Sequence, residues 1–269
     1  MTGKRTDYHQ LYMRTRVISS HLAFFAWAMV SLIIPACLRA APMPTVPTDS
    51  LRTADLLFVL NYKGNAITEV TQGVNAMPID HVGIVLRSDT GVFVMEATPA
   101  RGVALTPLAS FVNQNSLAGH TCNIVVGRSR KEIDVRRLMD KWRAYCGLPY
   151  DSLYLPDDRQ MYCSELVQKM LFDVSGQPVY STIPMSFHNA RGKITRYWKM
   201  FYHRRGMKVP EGEPGTNPGQ LSRDANTAIL GLLMAVPQSG CCHDTGTSAD
   251  NLRCVGSPDI WFGAKLSAL

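Results

Sequence analysis

No stretch of this 269-residue chain stays apolar long enough to be an ordinary membrane-spanning helix. Residues 22–34, interrupted at Ser31, and residues 228–236 come nearest, and both fall short. No Lys/Arg block or basic–aromatic interleaving stands out to argue for nucleic acid as a partner. Zinc-ligand spacing is missing too, because Cys241, Cys242, His243 and Cys254 crowd the tail with two adjacent cysteines. No metal and no cofactor is therefore expected. The other cysteines, Cys37, Cys122, Cys146 and Cys163, are scattered, so we expect no structural disulfide in the core, and the odd total of seven leaves at least one thiol free. What is present is ordinary globular composition, 46% hydrophobic and 18% charged, enough for one core with appendages.

The N-terminus reads as a targeting segment. Lys4, Arg5, Arg14 and Arg16 precede the apolar run, and small residues follow at Ala36, Ala40 and Ala41. This is the plan of an export signal. Ile34-Pro35-Ala36-Cys37 is similar to a bacterial lipobox, in which Cys37 would carry lipid. Cleavage near Ala40 or Ala41 without lipid, or an uncleaved anchor, are the alternatives, so membrane attachment through Cys37 or through an N-terminal anchor stays open. Either cleavage reading places the protein in the bacterial cell envelope, in the periplasm or tethered to the membrane. Cleavage before Cys37 removes four of the 28 basic residues and one of the 21 acidic ones (Asp7), leaving 24 against 20 and turning a net +7 into +4. Most of the basicity belongs to the signal.

Past a Pro/Thr-rich linker, residues 55–60 (DLLFVL) read as a first strand, and residues 61–78 as a loop or short helix. Residues 80–86 (DHVGIVL) and 92–97 (VFVMEA) flank the turn-forming RSDTG and make a β-hairpin. Side chains alternate with period two, so His81, Gly83 and Val85 share a face, as do Val92, Val94 and Glu96. A two-residue turn at Ser88-Asp89 would set His81 opposite Glu96. Taken singly, a strand histidine is usually structural and a strand-end glutamate usually solvated. Residues 103–111 read as a connection carrying Pro107, and residues 122–126 as another strand. A helix follows over 133–145, with Arg136, Arg137, Lys141 and Arg143 on a solvated face.

Residues 161–167 (MYCSELV) place a cysteine where a loop becomes an amphipathic helix, with Leu166, Val167, Met170 and Leu171 at helical spacing until Gly176 and Pro178. Cys163 falls in the first turn, where unpaired N–H groups and the helix dipole favour a thiolate. Free cysteine more commonly serves as a small buried hydrophobe. The hairpin pair His81 and Glu96 is what lifts Cys163 above that reading.

The order DLLF (55–58), DHVGIV (80–85), MEA (95–97), GLPYD (147–151), YCSELV (162–167) and PGTNPG (214–219) resembles the permuted papain-like amidases, the YaeF/YiiX-like group of the NlpC-type cysteine peptidase superfamily. Asp80 stands where the group often has serine, and Ala54 where it often has glycine. The resemblance implies an α+β, circularly permuted papain-like (NlpC-type) fold, an antiparallel sheet packed against the cysteine-bearing helix. It also implies Cys163 as nucleophile, His81 as base and Glu96 as the residue orienting the imidazole. Residues 1–41 are then an export signal with its lipobox-like sequence, 42–50 a linker, 51–229 the catalytic domain and 230–269 a C-terminal extension. The expected activity is a thiol hydrolase acting on a peptide, a cell-wall stem or an acyl-amide substrate. A thiol acyltransferase using the same residues, or a non-catalytic envelope module keeping only the fold, are the other classes.

Overall fold

The computed structural model describes residues 43–115 and 123–234. The export and lipidation readings, Cys37 included, and the tail from residue 235 lie outside the described residues. The described residues belong to one compact unit.

Seven strands make the main sheet: β1 (Thr45–Val46), β2 (Leu56–Leu60), β3 (Ile79–Ser88), β4 (Gly91–Thr98), β5 (Gly102–Pro107), β6 (Ile124–Ser129) and β9 (Thr227–Leu233), in the spatial order β1-β9-β6-β2-β3-β4-β5. Every pairing is antiparallel except β1 with β9. β7 (Ile183–Pro184) and β8 (Pro214–Gly215) pair separately. Six α-helices are described: α1 (Ala66–Val70), α2 (Leu108–Asn115), α3 (Val135–Tyr145), α4 (Cys163–Met170), α5 (Arg196–His203) and α6 (Pro218–Arg223).

β2 shows why the sheet lies inside. Its five residues are all buried, with Leu56, Phe58 and Leu60 in the cluster that holds α4, and Leu57 and Val59 in the cluster that holds α2 through Phe111 and Val112. A strand covered on both faces needs apolar residues at every position rather than every second one. Each such side chain contributes about 1.5–3 kcal/mol by leaving water. α4 lays Leu166, Val167 and Met170 on β3 and β4, beside Val82, Ile84 and Met95. A smaller third cluster, Met185, Phe187, Trp198 and Tyr202, seats α5.

Several sequence expectations need correcting. Residues 103–111 are not a connection: β5 pairs with β4 from Thr98–Gly102 to Phe93–Pro107, then α2 begins. Pro107 is tolerated because it ends the strand, where no further ladder N–H is needed. Residues 42–50 are more than a linker, since Thr45 and Val46 pair with Leu232 and Leu233, and a two-residue strand carries no pattern to read. The extension cannot start at residue 230, because β9 runs through Leu233 between β1 and β6. Arg137 is not merely solvated: its guanidinium lies 3.6 Å over the Phe172 ring and donates to Gly176 O at 3.1 Å. Cys146, the C-cap of α3, is disulfide-bonded, against the expectation of no structural disulfide. Its partner lies outside the described residues, since Cys163 is free. Cysteine spacing cannot reveal such a pairing. Finally, against the expectation of no basic–aromatic interleaving, α5 does interleave basic and aromatic residues (RYWKMFYH), with Trp198 and Tyr202 buried beneath it.

Candidate active site

The β3–β4 turn closes one residue later than the spacing suggests. Ser88 pairs with Gly91 and Ile84 with Met95, so Asp89 and Thr90 are the turn residues and Glu96 falls opposite Gly83 rather than His81. The displacement along the ladder is two residues, an even number, and it preserves faces; an odd slip would have sent Glu96 to the other side. His81 and Glu96 are therefore diagonal neighbours, and His81 Nε2 stands 2.8 Å from Glu96 Oε2.

Simple alternation would still group His81 with Val85 and Val94, away from the cluster containing Cys163. The ladder is broken where it matters. Val59 faces His81 but Leu60 faces Ile79, leaving Asp80 as an extra residue in β3. Such a bulge re-aims the adjoining side chain. The Cys163 thiol is close enough to raise the His81 imidazole's affinity for its proton, and because Glu96 occupies Nε2, Nδ1 is the ring nitrogen left for sulfur. Asp80 is itself held by the side-chain amides of Asn61 (2.7 Å) and Asn65 (2.6 Å).

Cys163 opens α4 and is 4% exposed. Tyr162 just before it is buried, and its N–H donates to Glu165 Oε2 at 3.4 Å, a long reciprocal cap. The Tyr162 hydroxyl accepts the Thr216 N–H at 3.0 Å, which ties the start of α4 to the β8 segment. Glu165 also pairs with Lys169 at 2.7 Å. Burial nevertheless pushes its carboxyl up to about 7, with Lys169 opposing.

The electrostatics of the triad follow from competing causes. Burial is the largest influence on His81 and disfavours a charged ring; hydrogen bonds to Cys163 and Glu96, with their negative charges, outweigh it and push the imidazole up to about 10. Burial also raises Glu96, yet the hydrogen bond and charge of His81, the Thr106 hydroxyl and the Arg101 guanidinium bring it below its ordinary value. Glu96 Oε1 receives Arg101 at 3.0 Å and the Thr106 hydroxyl, and Arg101 also contacts Thr106. Sequence reasoning missed Arg101 and Thr106. Only the β4–β5 register, which sets Glu96 across from Ala104 and Val94 across from Thr106, brings them to Glu96.

A cleft of about 430 Å³ opens beside His81 and Glu96, walled by Tyr150, Tyr154, Tyr197, Trp198 and Phe201 and edged by Asp80. Tyr154 holds a left-handed backbone (φ 55°), a strained state for an aromatic residue. Asp151 supports it by accepting the N–H groups of Leu153 and Leu155, each at 2.7 Å. The Tyr154 ring then packs edge-on against Tyr162 and Trp198, at 5.3 and 5.7 Å between centroids. Among the described residues no group of three or more His, Cys, Asp or Glu could hold a metal ion.

The structure thus brings together the three residues the resemblance singles out, a buried helix-start cysteine, a histidine earlier in the chain and a carboxylate behind that histidine, on a largely antiparallel sheet. A family model described as "Permuted papain-like amidase enzyme, YaeF/YiiX, C92 family" matches residues 51–231, and the chain belongs to that family. It is a family of cysteine hydrolases of amidase type. Among solved structures, one described as the metalloprotein yiiX from Escherichia coli O157:H7 matches with a TM-score of 0.52 and 22% identity, over 67% of this chain and 97% of that one. That likeness supports the fold, and the description as a metalloprotein stays with the neighbour. No curated protein matches.

Proposed function

We propose that the protein is an exported thiol hydrolase that cleaves an amide bond with Cys163 as nucleophile, His81 as acid–base and Glu96 as the residue positioning the imidazole. The observation that carries this reading is His81 set between Glu96, 2.8 Å from its Nε2, and Cys163 at the start of α4, with His81 and Glu96 lining a cleft. The thiolate of Cys163 attacks the carbonyl carbon, and the negative charge that develops on oxygen meets the free N–H groups at the start of α4. His81 gives its proton to the leaving amine, leaving an acyl-thioester on Cys163. Water, deprotonated by the now neutral imidazole, attacks that thioester; the acid departs and the proton restores the imidazolium. Glu96 holds the ring by Nε2 throughout, so Nδ1 stays aimed at sulfur.

A peptide, a peptidoglycan stem and an N-acyl compound all present the required carbonyl. The aromatic side chains in the cleft wall would pack against a flat or apolar portion of the substrate beside the scissile bond, while Asp80, Gln114 and Asn115 in the same lining would meet its polar groups. The N-terminal sequence supports export to the cell envelope, with a mature chain beginning at Cys37 or near Ala41. Intact-mass measurement of the protein after brief incubation with envelope extract tests the whole reading. An acyl adduct on Cys163 that is absent from Cys163→Ser would name the acyl group. A turnover-competent extract that leaves Cys163 unmodified, together with full activity of Cys163→Ser, would refute it.

A further inference from the structure

The segment from 191 to 208 contains seven Lys/Arg residues, Arg191, Lys193, Arg196, Lys199, Arg204, Arg205 and Lys208, and not one Asp or Glu. All seven are exposed. None joins any ion pair among the described residues. Glu211, the next acid along the chain, is occupied by His188 (3.1 Å) and the Phe187 N–H (2.8 Å). Seven unpaired positive charges on one short stretch repel one another, so the face gains stability from an anionic partner.

Apolar groups stand among these charges. Tyr197 is 52% exposed and Met200 37%, although α5 has a packed underside in Trp198 and Tyr202. Arg205 lies flat over Phe201, 3.7 Å from the ring centroid. Arg196, Tyr197, Met200, Phe201, Arg204 and Arg205 surround a second cleft of about 520 Å³. Tyr197 and Phe201 line both this cleft and the one beside His81. Apolar side chains at the centre with long cationic ones around them is the arrangement that enters a lipid headgroup layer, the cations reaching phosphate while aromatic and aliphatic groups sit deeper. A nucleic acid would meet the same charges, but it gains nothing from Met200.

We propose that the outer face of α5 and its flanking loops docks on an anionic lipid bilayer, setting the mouth of the active-site cleft at the headgroups. This surface is separate from any attachment through Cys37 or an N-terminal anchor, and it does not depend on the catalytic reading.

The test is flotation of the full chain with vesicles of phosphatidylcholine alone and of phosphatidylcholine mixed with phosphatidylglycerol, in low and high salt. Wild type should prefer the anionic vesicles and lose that preference in high salt. Each basic residue near an anionic surface is worth roughly a fivefold change in partition, so the triple variant Arg196→Gln/Lys199→Gln/Arg204→Gln should bind anionic vesicles on the order of 100-fold more weakly. Its partition onto neutral vesicles should be unchanged, which removes the N-terminus as the cause, and an unaltered thermal melt shows that it folds. Met200→Ser, which keeps every charge, should weaken anionic binding a few-fold. Equal binding of wild type and the triple variant to anionic vesicles overturns the proposal. So does a wild type that leaves those vesicles for a competing single-stranded oligonucleotide.

Discussion

The β3–β4 hairpin with α4 and the region around α5 meet at one cleft but are built on opposite plans. In the first, the charges at the site have partners: His81 holds Glu96, and Glu96 is held by Arg101 and Thr106. In the second, seven cations have none, and a cluster of rings packs beneath them. Buried, fully partnered polar groups fix geometry, which chemistry on a carbonyl requires. Exposed, unpartnered charge fixes nothing until something outside supplies the other sign. One region is finished within the molecule and the other is completed from without.

The largest effect that would sharpen this contrast belongs to the hairpin. His81→Ala should lower amide turnover by about 10²–10⁴-fold, the usual worth of a positioned acid–base group, while leaving vesicle flotation untouched. Loss of flotation in that variant would mean the two regions are not separable. Trp198→Ala comes next. Trp198 is 4% exposed, donates its ring N–H to Ala66 O at 3.1 Å and seats α5, so chemical denaturation should show a loss of about 3–5 kcal/mol. Hydrogen exchange should place the loosening around α5, and a uniform loss across the sheet would blur the comparison.

Glu165 gives a smaller, pH-dependent effect. Its carboxyl is raised in the fold from 4.5 to about 7, so the folded state favours the protonated form. The associated stability is fully present below about pH 4.5 and is lost as pH rises through about 7. Wild type should thus lose ground to Glu165→Gln between pH 5 and pH 8. Parallel stability–pH curves for the two proteins would contradict the assignment. Smallest is Ala54→Gly. Ala54 has φ 74°, in the left-handed region, while its N–H donates to Val85 O at 2.9 Å. Glycine removes a Cβ strain of about 1–2 kcal/mol but adds chain entropy of about 0.5–1, so the melting midpoint should rise slightly. A fall would show that the methyl group packs to more effect than it strains.

The sequence made the hairpin and the cysteine helix legible because both carry periodicity, and periodicity survives small errors. The turn lay one residue off, yet His81 and Glu96 still shared a face because the resulting slip was even. What period two could not show was the bulge at Asp80 that brings His81 to sulfur, since an extra residue has no signature of its own. Arg101 and Thr106 were invisible for a related reason: they matter only through cross-strand register, which depends on β5, and β5 was hidden by its terminal Pro107. β9 was mistaken for the start of the tail because a lone apolar run says nothing about what it pairs with. The charges of the α5 region were plain in the sequence, but their arrangement was not, because only folding separates buried Trp198 and Tyr202 from exposed Tyr197 and Met200.

The central claim is that His81, held by Glu96, activates Cys163. The rate of Cys163 alkylation by iodoacetamide at pH 7, read by peptide mapping so that other thiols do not interfere, tests it most directly. Wild type should react at Cys163 at least about tenfold faster than His81→Ala. Equal rates in the two proteins would contradict the account.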